Sequence, residues 1–265
     1  MKNIIATFAA LGRPEPLLMR TGWVMGWVLA LCLFAIAMDG RQLGGLSVWV
    51  KPAKFAASVM VWCWTMAWCF AALPADAVRQ RAARIIIWGT IIFGGYEVGW
   101  IILRSAFGMP SHFATDIIGN IGYAVMGLGA VALCALAAWL GVLVLRSGSA
   151  ELPSAWRQAI GLGLIVSGVT GVITGATISV LASPYIGGAG AAGPWPPFFW
   201  AAHGGDLRVA HFIGIHAMQA LPLLAMILAA FPRLKAAPLV QLGAVLWLAF
   251  TGFAFTQALR GIALF

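Results

Sequence analysis

The sequence predicts an all-α membrane protein, a bundle of seven transmembrane helices, and three observations predict it. Of the 265 residues, 62% are hydrophobic and 9% are charged, against roughly 45–50% and about 25% in a soluble domain. Seven separate stretches stay apolar over the roughly 20 residues that a bilayer crossing needs. Between them stand prolines, glycines and charges, which end helices rather than continue them. Thirteen Trp and 32 Gly fit the same class, because Trp favours the membrane interface and Gly lets helices approach closely.

Taken in order, residues 1–20 read as an interfacial or cytoplasmic lead-in. Their apolar run, 4–11, is short for a cleaved leader and is stopped by Arg13 and Pro14. The spans follow at 22–38, 55–73, 85–103, 117–145, 159–181, 209–231 and 239–262, with Pro74, Pro110, Pro153, Pro184 and Pro232 among the connecting breakers. The fourth span is long enough to tilt or protrude. Pro222 lies inside the sixth and predicts a kink there. No soluble domain, charge run or internal repeat stands out, so 1–265 reads as a single polytopic domain. The loop 182–207 is unusual: Gly187, Gly188, Gly190 and Gly193 loosen it, Pro194, Pro196 and Pro197 stiffen it, and Trp195, Phe198, Phe199 and Trp200 make it amphipathic. It reads as an interfacial anchor, or as a lid over a site.

Lys and Arg set the orientation. Lys2, Arg13, Arg20, Arg79, Arg81, Arg84, Arg146, Arg157, Arg233 and Lys235 fall on one side; Arg41, Lys51, Lys54, Arg104, Arg208 and Arg260 fall on the other. The richer side is cytoplasmic by the positive-inside rule, which puts the N-terminus in the cytoplasm and the C-terminus outside. The net charge of +9 is spread over these loops and forms no nucleic-acid arm. Cys32, Cys63, Cys69 and Cys134 all fall in apolar segments without a CxxC spacing, as small buried hydrophobes do.

The same partition puts His112, His203, His211 and His216 on the outer side, together with Asp39, Glu97, Asp116 and Asp206. On a continuous sixth helix, Arg208, His211, Gln219 and His216 share an arc of about 140°. Such a face must turn to the bundle interior or to water. In the third span Glu97 and Arg104 lie two turns apart on one face; a carboxylate in that apolar segment needs a cation or a proton, and Arg104 or Arg208 would supply the first. In the fifth, Ser167, Thr170, Thr174 and Thr177 form a stripe of hydroxyls that bond backbone carbonyls or neighbouring helices.

These groups suggest an outward-facing site between the third and sixth helices, and three chemistries. In the first, His112, His203, His211 and His216 include ligands for a divalent metal, with Glu97, Asp116 and Asp206 as catalytic carboxylates. His211 and His216 are five apart, about 140° in azimuth, so they do not chelate one ion as an i, i+4 pair does. In the second, His211 or His216 with His112 holds a b-type haem; without CxxCH there is no c-type attachment. Either would serve membrane chemistry on a small or lipidic substrate. In the third, Arg41, Arg104, Arg208, Lys51 and Lys54 rim a vestibule of a transporter, channel or sensor for an anionic solute or protons, with Arg104, Arg208, Gln219, Lys51 and Lys54 as binding residues and Glu97 and His216 as titratable relays. The bilayer is the expected partner, and the bacterial inner membrane, with the site facing the periplasm, the expected location.

Overall fold

The computed structural model describes residues 12–188, 193 and 196–264. Lys2, the run 4–11, Gly190, Pro194 and Trp195, named above, lie outside them. Helix α1 (Pro16–Met38) starts where the Glu15 carboxylate accepts the Leu18 N–H at 2.7 Å and Pro16 sits in the first turn, both helix-start signals. A hairpin follows, β1 (Gln42–Leu43) on β2 (Leu46–Ser47). Gly44 and Gly45 make its turn at φ +60° and +80°, the left-handed pair that a two-residue turn requires.

The remaining elements are α2 (Val50–Phe70), α3 (Ala75–Val78), α4 (Arg81–Ala106), α5 (Ile117–Ser147), α6 (Ser154–Val180), β3 (Tyr185–Ile186), β4 (Gly205–Asp206), α7 (Leu207–Ile215), α8 (Ala217–Ala229) and α9 (Ala236–Leu259). β3 and β4 pair antiparallel. Six helices, α1, α2, α4, α5, α6 and α9, are long and apolar enough to cross a membrane; α7 and α8 together make up to a seventh. This is an all-α membrane bundle in its architecture. Several helices, α4 among them, outrun their apolar stretch at both ends, because flanking polar residues such as Arg81 and Arg104 also take helical turns.

The chain divides into two compact units. Among the described residues, the first comprises Pro14–Trp68 and Arg81–Leu133; the second comprises 12–13, Cys69–Gln80 and the described part of 134–264. In the first, Met25, Ala56, Val59, Cys63 and Val98 form a buried cluster, and the Trp64 indole lies over Gly22, where a Cβ would come within 2.3 Å of it. In the second, α6 packs against α7, α8 and α9. Its glycines allow the approach: a Cβ on Gly163 would stand 2.8 Å from the Ala217 carbonyl oxygen, and one on Gly168 2.5 Å from that of Cys134. All four cysteines are buried and unpaired.

The sixth span departs from expectation. It is not one helix kinked at Pro222 but two, bent by 49° at His216, whose backbone takes φ −85° and ψ 2°. Helix α8 runs through Pro222 without a break. The bend is fixed from outside. The Ser167 hydroxyl of α6 donates to the Ile215 carbonyl at 2.8 Å and accepts the Met218 N–H at 2.8 Å. From α9, the Trp247 indole N–H donates to the Ile213 carbonyl at 2.9 Å. Backbone groups freed by a break inside a bilayer need such partners.

Candidate functional site

The candidate residues fall into both units. In the first unit, one end collects the end of α1, the start of α2, the end of α4 and the start of α5. Glu97, Ile101 and Arg104 share a buried face of α4, as their spacing predicts. The Arg104 guanidinium does not partner Glu97. It grips Asp116 through two bonds, 2.5 and 3.2 Å, and donates to the Pro110 carbonyl at 3.0 Å. Asp116 in turn accepts the Gly119 N–H at 2.7 Å, capping α5, and the Arg104 guanidinium holds its carboxyl below the usual carboxylate range.

Ser111 and His112 follow Pro110. Ser111 is buried and His112 half-buried, and the imidazole packs against Phe55 and Tyr123 with ring centroids 5.8 and 5.1 Å apart. Phe113 sits at φ +53°, a left-handed conformation that costs a bulky residue roughly 1–3 kcal/mol and turns its ring onto Tyr123. Burial, and after it the charge of Lys51, push the His112 imidazole down to about 3. It is neutral at ordinary pH.

Glu97 lies within this unit, and with the Trp62 and Trp64 indoles it carries a buried polar atom that has no hydrogen-bond partner. It is 6% exposed, and the atom is its Oε1. The Lys51 ammonium is the cation whose charge acts on it. Lys51 and Lys54 are half-buried in the first turns of α2.

In the second unit, Asp206 caps α7 by accepting the Arg208 N–H at 3.0 Å and also accepts the Ala201 N–H at 2.9 Å. Arg208 folds back on it, Nη2 to Oδ2 at 2.6 Å. The same guanidinium donates to the Phe199 carbonyl at 3.0 Å and lies 4.8 Å over the Tyr185 ring. Phe199 takes φ +54° to present that carbonyl. The loop is therefore fastened to α7, and its Phe198 and Trp200 rings pack on Phe212, 4.9 and 5.5 Å away. His203 is exposed on a turn of the same loop.

His211 and His216 stand at and just above the break. His216 Nδ1 is 2.7 Å from the Phe212 carbonyl, which only accepts, so that nitrogen carries the proton. Thr174 donates its one hydroxyl proton to the Thr170 carbonyl at 2.6 Å, so it accepts from His211 Nδ1 at 2.8 Å. Both neutral rings are thereby Nδ1–H tautomers with a bare Nε2 lone pair. The helical wheel that placed Arg208, His211, His216 and Gln219 on one arc holds only as far as Ile215, because the helix stops there. Thr170, Thr174 and Thr177 bond carbonyls of their own helix, as the stripe suggests; Ser167 and Thr174 also bond another segment, Ser167 at Ile215 and Thr174 at His211.

Two findings bear on the chemistry. Arg41, Arg104 and Arg208 are each tied two-pronged to an aspartate, Asp39, Asp116 and Asp206, so they do not stand as open anion-binding cations. Among the described residues, no three His, Cys, Asp or Glu side chains come together as a metal ligand set. Comparison with known protein families, with curated proteins and with solved structures found no match. Sequence reasoning missed the clasps, yet the signal was present: Asp39–Gly40–Arg41 and Asp206–Leu207–Arg208 both read Asp-x-Arg at a helix end. Ser167 gave no signal, since its partners lie 48 and 51 residues away.

Proposed function

We propose that the chain is a transporter or channel of the bacterial inner membrane, N-terminus cytoplasmic and C-terminus outside. It passes protons, or a small solute that donates hydrogen bonds, through a site at the α7–α8 break. The observation that carries this reading is the break itself, with the bare Nε2 atoms of His211 and His216 beside it. Discontinuous helices with polar groups at the bend are how transport proteins build sites inside a bilayer, and ionisable side chains within a bundle mark ion and proton paths. Reconstitution into liposomes under a potassium diffusion potential, with a trapped pH dye, tests it. The expected result is a proton flux above that of empty vesicles, which His211→Gln and His216→Gln each bring back toward the empty level. A wild-type flux equal to that of empty vesicles overturns it.

The same bare nitrogens favour one second reading, metal- or haem-assisted chemistry on a small or lipidic substrate. Metal-bound imidazoles commonly donate their other ring N–H to an oxygen, as both rings do here. Elemental analysis and a visible spectrum of the purified protein separate the two: stoichiometric transition metal or a Soret band replaces the transport reading.

A further inference from the structure

Glu97 is a buried acid within an apolar span. It sits in α4, a span of mean hydropathy 1.6, among buried Gly94, Val98 and Ile101. It makes none of the ion pairs among the described residues, and its Oε1 accepts no hydrogen bond. α5 leaves room beside it, because the atoms nearest to a Cβ built on Gly129 are that same Oε1 and Phe93 Cδ1, both at 3.5 Å. The ionisable groups that act on it are Lys51 of α2 and the adjoining Tyr96 on its own helix; Arg104, on the same face, is held by Asp116. An ionised carboxylate with no hydrogen bond is far costlier to bury than the neutral acid.

We infer that Glu97 is a proton-binding site inside the membrane: its carboxyl carries a proton in the resting protein and exchanges it, rather than serving as the fixed counter-ion of an arginine. On release the O–H bond breaks, the proton passes to water, and the carboxylate left behind is opposed by the Lys51 ammonium. On uptake the steps reverse, and no oxidant or second reactant is needed. The inference rests on the first unit alone, so it stands or falls separately from the reading at the α7–α8 break.

The test is modification by the lipid-soluble reagent N,N′-dicyclohexylcarbodiimide, which adds to protonated buried carboxyls, followed by mass spectrometry of the peptide containing residue 97. In the wild-type protein in detergent or liposomes, the adduct should appear on Glu97 and diminish as pH rises. Glu97→Gln, a neutral mimic of the protonated acid, should fold with unchanged thermal stability and take no adduct at this position. If Glu97→Gln does not fold, the acid is a structural counter-ion and the inference is overturned. Failure of the wild-type protein to label between pH 6 and 8 also overturns it. So does protection by sodium at constant pH, which would make the site one for a metal cation.

Discussion

The α7–α8 break and the surroundings of Glu97 are both polar regions inside apolar helices, yet they handle polarity in opposite ways. At the break, Ser167 and Trp247 take up backbone groups that the bend frees, and Thr174 and the Phe212 carbonyl fix the two imidazoles. Polar atoms there hold a shape, and the two Nε2 atoms carry lone pairs on the unprotonated side of each ring. Around Glu97, Arg104 on the same face is tied off by Asp116 and the charge of Lys51 acts on the carboxyl, which keeps an oxygen with no hydrogen-bond partner. In a bilayer, where each unsatisfied group is costly, atoms without partners identify a candidate site better than a count of ionisable residues does.

The largest effect that would break this contrast is expected at Ser167. Ser167→Ala removes one hydroxyl but strands two groups, the part-buried Ile215 carbonyl and the buried Met218 N–H. A stranded group costs about 1–3 kcal/mol in water-soluble proteins and interhelical bonds in membranes are worth somewhat less, so the expected loss is about 2 kcal/mol. Denaturation midpoints in detergent measure it. A loss no larger than that of Thr177→Ala, whose hydroxyl is exposed and bonds only its own helix, would mean that Ser167 does not hold the break.

How much of this was legible in the sequence follows from the range of the interactions. Apolar length alone located the spans, since it is a property of consecutive residues. The Glu97–Arg104 face was legible too, because a regular helix carries the period across seven positions. The break was not, for two reasons: Pro222 is a local signal that α8 absorbs, and the hydroxyl that sets the bend comes from α6. The partners of the arginines were not legible: Arg104 and Arg208 stood as one option for Glu97, the other being a proton, whereas Arg104 takes Asp116, twelve residues on, and Arg208 takes Asp206 in an Asp-x-Arg turn. Once α7 ended at Ile215, the common face for Arg208 and Gln219 ended with it.

A smaller effect distinguishes a neutral mouth in the first unit from an ion-paired one. His112 is pushed down to about 3 by burial and by the charge of Lys51, whereas a histidine in the unfolded chain titrates near 6.5. Between those values the unfolded chain binds a proton that the folded one refuses. Stability contributed by neutral His112 is therefore complete above about 6.5 and is lost as pH falls toward 3, by at most about 1.4 kcal/mol per pH unit. Denaturation of wild type and His112→Asn at pH 7 and pH 5 measures this, with the variant expected to show the shallower dependence. Were His112 instead a cation held by a nearby carboxylate, the sign would invert and acid would stabilise the protein.

The smallest effect is expected at the glycines, where the two regions should respond with opposite signs. A Cβ on Gly129 meets Glu97 Oε1 and Phe93 Cδ1 at 3.5 Å, ordinary contact, so Gly129→Ala gains the helix-forming advantage of Ala and stabilises by about 0.5 kcal/mol. A Cβ on Gly163 meets the Ala217 carbonyl oxygen at 2.8 Å, which rigid backbone cannot yield, so Gly163→Ala destabilises. Thermal midpoints of the two variants, measured side by side, give the comparison. Gly129→Ala should also slow carbodiimide modification of Glu97, because the new methyl covers the oxygen that has no partner. Equal losses of stability in both variants would show that the space beside Glu97 is as tightly filled as the break, and the acid would then belong with the groups that hold shape.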